Sequence, residues 1–154
     1  MLRELQTAKD KNIDAMYKAD VAMVTGMAVV KNMADKTADM PAAATVDGIF
    51  LVNKERIPTG INTARTDMSD YDDDFCNIKV GEPVKLIPMY VGERYATDAC
   101  VATGLTVGDA LMVGVDGKFA KATKASTLIY GGTFNDAGHT LHIVEKADHA
   151  VTNA

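Results

Sequence analysis

Three groups of side chains in this sequence are of types that do chemistry. The first is the acidic run Asp70-Tyr71-Asp72-Asp73-Asp74. Hard cations want several oxygen ligands from one tight loop. An EF-hand loop counted from Asp70 needs Gly at its sixth position and Glu at its twelfth, and here these are Phe75 and Gly81. That motif fails, and a solvated acidic loop is the favoured reading. The second group is His139 and His142. Three residues apart on a strand, they fall on opposite faces and do not share a metal. His149 lies apart in a polar segment, so the three or four convergent ligands of a zinc site are missing. The third group is Cys76 and Cys100. Cys76 follows Asp70, Asp72, Asp73 and Asp74, and nearby negative charge raises a thiol pKa. Cys100 sits in an apolar stretch and reads as core.

The remaining catalytic patterns also fail. Ser69 and Ser126 are the only serines, and neither lies in a Gly-x-Ser-x-Gly elbow. Gly114-Val-Asp-Gly117-Lys118 ends in Gly-Lys but lacks the spacing of a phosphate loop. No enzymatic role, metal or cofactor is expected. A formal net charge of −5 argues against nucleic acid as a partner. The basic spacing Lys118, Lys121, Lys124 reads as a solvated strand edge or loop. No run approaches the roughly 18 apolar residues of a membrane helix. The opening Met-Leu-Arg-Glu-Leu-Gln has no apolar core of a secretory signal. Two thiols in a cytosolic product are favoured over a disulfide.

The elements that would position these residues read as β. Fifteen Thr stand against two Ser, and Trp is absent, so the core must come from Val, Ile, Leu, Met and Ala. Apolar runs at 21–24, 27–30, 49–52, 78–80, 84–91, 94–101, 110–115, 127–130 and 140–144 are bounded by turn signals. Gly92-Glu93 reads as a hairpin turn joining 84–91 to 94–101. Asp116-Gly117 reads as a second hairpin, and Gly131, Gly132 and Gly138 as a Gly-rich turn. Residues 31–45 fit a loop or a helical turn or two ended by Pro41, and 53–75 form the longest stretch without periodicity. Val80-Gly81-Glu82 echoes Val107-Gly108-Asp109, as a repeat or as independent turns. The expectation is a mainly β chain: a small barrel or sandwich of about eight strands with an N-terminal arm or short helix. Residues 1–20 would be the arm, 21–147 the β domain and 148–154 a C-terminal tail.

The stretch Thr103-Gly-Leu-Thr-Val-Gly-Asp-Ala-Leu-Met-Val-Gly-Val-Asp-Gly-Lys-Phe119 resembles the C-terminal half of head-decoration (cement) proteins of tailed bacteriophages. Thr25-Gly26-Met27-Ala28-Val29-Val30-Lys31 and Val46-Asp47-Gly48-Ile49-Phe50-Leu51-Val52 resemble their earlier strands. The likeness is one of layout over residues 20–146. It implies a virion protein made in the host cytoplasm and seated on the capsid exterior. Such a protein is commonly a homotrimer, and it clamps neighbouring major capsid proteins. It also implies an N-terminal arm reaching a neighbour, with Leu2, Leu5, Ile13, Met16 and Tyr17 as its contacts. The same five residues would equally serve to cover the domain's own core. Another virion structural protein, or a small-ligand or carbohydrate-binding β-barrel, are the alternatives.

Overall fold

The computed structural model describes residues 1–55 and 73–153. It is mainly β, with thirteen strands and one helical turn among the described residues. The strands are β1 (Leu2–Gln6), β2 (Asp14–Ala19), β3 (Met23–Val24), β4 (Ala28–Asn32), β5 (Thr37–Asp39) and β6 (Ile49–Lys54). After the short helix α1 (Asp73–Cys76) follow β7 (Asn77–Ile78), β8 (Pro83–Pro88), β9 (Arg94–Thr97), β10 (Leu111–Val113) and β11 (Phe119–Lys121). The long hairpin β12 (Ser126–Asp136) and β13 (His139–Val151) ends the fold.

Five strands pair in the ring order β2-β5-β4-β6-β8, with β8 pairing back to β2. A four-stranded sheet runs β1-β9-β13-β12, and β10 and β11 form their own hairpin. Side-chain alternation links these parts. Along the ring strands, Ala28, Leu51 and Ile87 point to one core, which they share with Tyr95, Val144, Phe119 and Leu128. Their neighbours Val29, Val52 and Leu86 point to a second core, with Tyr17, Ala19 and Val84. Both faces are therefore buried, which is why these strands read as apolar runs rather than alternating ones.

Several expectations change. Strands outnumber the expected eight because pieces of two or three residues, such as β3, β5 and β7, carry no readable periodicity. Residues 31–45 hold β5, which pairs β2 in parallel and β4 antiparallel. The β8–β9 hairpin does not form. Pro88 ends β8 in the ring, and the chain crosses at Gly92-Glu93 into the four-stranded sheet, where β9 pairs β1 and β13. Proline has no N–H with which to continue a ladder. Gly131 and Gly132 lie within β12 at a register shift beside Tyr130. A Cβ on Gly131 would come 2.7 Å from Ile143 Cγ2. The turn itself is the two-residue Ala137-Gly138, with Asp136 facing His139. The hairpin at Asp116-Gly117 forms as expected, Val113 facing Phe119.

Residues 1–20 are not a separate arm or helix. β1 extends the four-stranded sheet and β2 completes the ring. Nor are residues 148–154 a detached tail. β13 runs to Val151, and the Asn153 side chain bonds Ala110 N–H at 2.7 Å and the carbonyls of Ala110 and Ala122, both at 2.9 Å.

Candidate interaction surface

One four-residue turn recurs three times: Lys79-Val80-Gly81-Glu82, Tyr90-Val91-Gly92-Glu93 and Thr106-Val107-Gly108-Asp109. In each, the N–H of the acid bonds the carbonyl of the first residue, at 3.0 to 3.1 Å. In each, the acid's carboxylate accepts the first residue's N–H, at 2.7 to 2.8 Å. The glycines hold φ of 79°, 86° and 96°, the left-handed region that glycine enters without steric cost. The valines are all exposed. Each carboxylate also meets a lysine from elsewhere: Glu82–Lys54 at 3.7 Å, Asp109–Lys121 at 3.0 Å, and Glu93–Lys11. The sequence echo between 80–86 and 107–113 is two copies of this unit, and Gly92-Glu93 is the third.

The third copy differs in burial. Glu93 and Lys11 side chains are 3% and 8% exposed. Glu93 Oε1 accepts the Ala8 N–H at 2.8 Å, while Oε2 accepts Tyr90 N–H and Lys11 Nζ. Lys11 also donates to the Tyr95 hydroxyl, and its ammonium lies 5.1 Å from the Tyr90 ring centre and 4.8 Å from that of Tyr95. Burial pushes the Glu93 carboxyl up, but the bonds from Lys11, Tyr90 and Ala8 outweigh it and the net shift is downward. Burial, with the negative charges of Glu93 and Glu4, pushes the Tyr95 hydroxyl well above its usual range. This node fixes residues 7–13, which link β1 to β2 through a turn with Asp10 at φ 60°. No helix forms here: a turn stands where the sequence allowed a short N-terminal one.

Several apolar side chains of the segments that meet at this node are exposed. Leu5 and Ile13 flank the 7–13 link, Tyr90 and Val91 belong to the turn, and Met16 follows on β2. All five are exposed, Met16 at 73% and Ile13 at 48%. The five residues expected as partner contacts therefore divide. Leu5, Ile13 and Met16 face solvent, whereas Tyr17 is buried in the ring core and Leu2 packs against the shared core. Tyr90 and Val91 escaped the sequence reading because 84–91 was taken as one continuous strand.

The other candidates are placed as follows. Asp67 and Asp70 to Asp72, with Ser69, lie outside the described residues. Among the described residues no three His, Cys, Asp or Glu side chains converge as metal ligands. His142 Nδ1 sits 3.0 Å from the Tyr130 hydroxyl, and burial lowers its pKa. Cys76 is buried. Cys100 is half-buried and packed against the shared core, where burial pushes its thiol up to about 11. A cleft of about 330 Å³ is lined by Met1, Arg3, Asn53, Lys54, Phe75 and Lys85, among others. Arg3 pairs with Asp136 there, and Lys85 lies 3.9 Å from Glu55. The chain matches no protein-family model, no curated protein and no solved structure with which it was compared.

Proposed function

We propose that this chain is a structural protein that works by binding other protein surfaces, as a decoration protein on the exterior of a phage head. There it would stabilise the lattice of major capsid proteins, as a homo-oligomer with the trimer favoured. The observation that carries the reading is the exposure of five apolar side chains, Leu5 on β1, Met16 on β2, Ile13 in the link between them, and Tyr90 and Val91 in the turn before β9. Contiguous exposed apolar side chains on a folded chain mark contact surfaces. A standard interface buries about 800 Å² on each partner. Side chains carried on strands and hydrogen-bonded turns need little further ordering of the backbone on docking, so more of the gain from burial is retained.

The test is co-sedimentation with DNA-filled, undecorated heads. Saturable binding at a fixed ratio to the major capsid protein supports the reading. A folded chain that does not bind at micromolar concentration removes it. A second reading, a small-ligand-binding β module, is favoured by the cleft beside Arg3, Lys54 and Lys85, whose volume of about 330 Å³ lies at the small end of known ligand pockets.

A further inference from the structure

We propose that residues 7–13 form a strap latched by the single side chain of Glu93, with a latched state that holds the link between β1 and β2 on the β9 sheet and an open state that releases it. Outside the strand ladders, the hydrogen bonds that residues 7–13 make to the rest of the described chain go to Glu93 and Tyr95: Ala8 N–H to Glu93, and Lys11 Nζ to both. Most of the strap's other side chains are exposed, including Thr7, Lys9, Asp10, Asn12 and Ile13. No apolar residue of the strap reaches a core cluster. Its ends are anchored independently, at Gln6 facing Arg94 and at Asp14 facing Leu86, so opening would not unravel either strand.

The other two turns are internal controls. Glu82 and Asp109 make the same turn bonds, but their lysines, Lys54 and Lys121, come from within β6 and β11. Only at Glu93 has the carboxylate been recruited to hold a link between strands, and only there are both partners withdrawn from water. In low dielectric the pair is strong while complete, and a missing partner leaves the other charge buried and unpaired. Such a latch has two sharply separated states rather than a graded one. The inference concerns the chain alone and stands or falls independently of shell binding.

The experiment compares wild type with Glu93→Gln, Lys11→Met and Glu82→Gln. Amide exchange is followed at Ala8 and Tyr90, and acylation by an amine reagent at Lys11 against exposed Lys9. The latch predicts slow exchange and a protected Lys11 in wild type. In Glu93→Gln the Ala8 and Tyr90 amides speed up by about two orders of magnitude and Lys11 becomes reactive, while the amides of β12 and β13 remain far slower than those of Ala8 and Tyr90. Lys11→Met opens Ala8 likewise, and Glu82→Gln changes none of these. Wild-type Lys11 reacting as fast as Lys9 overturns the proposal. So does an Ala8 amide as slow as those of β12 and β13 in Glu93→Gln, or an unchanged Ala8 in both latch variants. Should Glu93→Gln fail to fold, Lys11→Met decides by the same criteria.

Discussion

At the residue scale, three acids in the same turn give a graded experiment. Glu82 is 35% exposed in its ion pair, and Glu93 is 3% exposed. An exposed pair is worth at most about 1 kcal/mol, whereas removing one member of a buried pair costs about 3–5 kcal/mol. Glu82→Gln is therefore expected to shift urea unfolding by less than about 1 kcal/mol, and Glu93→Gln by about 3 kcal/mol or more at neutral pH. Equal effects would mean that Glu93 is hydrated in solution. The pH dependence follows from the same group. The Glu93 carboxyl is held below its ordinary value of 4.5 in the folded chain, so the unfolded chain binds the proton first. Its contribution is complete above about pH 4.5 and is lost as pH falls further toward the folded value. Unfolding midpoints measured from pH 6 to pH 3 should fall, and Glu93→Gln should flatten that fall. The part that remains belongs to other carboxylates held low, among them Asp14 by its bond from Lys31 and Asp109 by its bond from the Thr106 N–H.

At the element scale, the β12–β13 hairpin carries an avoidable strain. Ala137 and Gly138 form its two-residue turn with φ of 50° and 89°. Two positive φ values in succession make the turn that asparagine-glycine suits best, and alanine tolerates this region less well than asparagine does. Ala137→Asn is expected to raise stability by about 0.5–1 kcal/mol, seen as an increase of about 1–4 °C in Tm. A lower Tm would show that the turn differs in solution. This hairpin also shows what the sequence could convey. The strands 127–130 and 140–144 were legible from β-branched residues between turn signals. Their true lengths were not, because Gly131 and Gly132 carry the same letters in a bulge as in a turn. Asp-Gly at 116–117 was legible because its two strands pair directly. Gly92-Glu93 misled because local turn chemistry does not say which sheet the next strand joins. That choice depends on Lys146, whose backbone bonds Gly92 N–H at 2.7 Å and the Glu93 carbonyl at 3.0 Å, more than fifty residues away. Of the exposed apolar residues, Leu5, Ile13 and Met16 were named only as contacts of the arm that the resemblance implies, and the buried Lys11–Glu93 pair could not be named at all. Burial of a charge is decided by partners, and the partners here are 82 residues apart.

At the scale of the whole molecule, the ring, the four-stranded sheet and the β10–β11 hairpin share one core through Leu51, Tyr95, Phe119 and Leu128. Substitutions on the outer apolar surface are therefore separable from stability. Ile13 and Met16 are exposed and belong to no core cluster. Replacing them with polar residues removes apolar contact without opening a cavity. Surface changes away from special features usually alter stability by less than about 0.5 kcal/mol. The double variant Ile13→Ser with Met16→Ser should keep the wild-type Tm within about 2 °C. If this surface carries docking, the same variant should weaken binding to undecorated heads by about tenfold or more, since losing a central apolar anchor costs over about 1 kcal/mol. Tyr17→Ala is the counterpart. Tyr17 is buried in the ring core with Val84 and Leu86, so its loss should unfold the chain in milder denaturant by about 3–5 kcal/mol, and binding should fall only with the folded fraction. Heads sedimented with each variant at equal folded concentration separate the two effects. Full binding by the double variant would place the contact elsewhere, with the Val80 and Val107 turns next in line, since each presents an exposed valine on the same carboxylate-fixed turn.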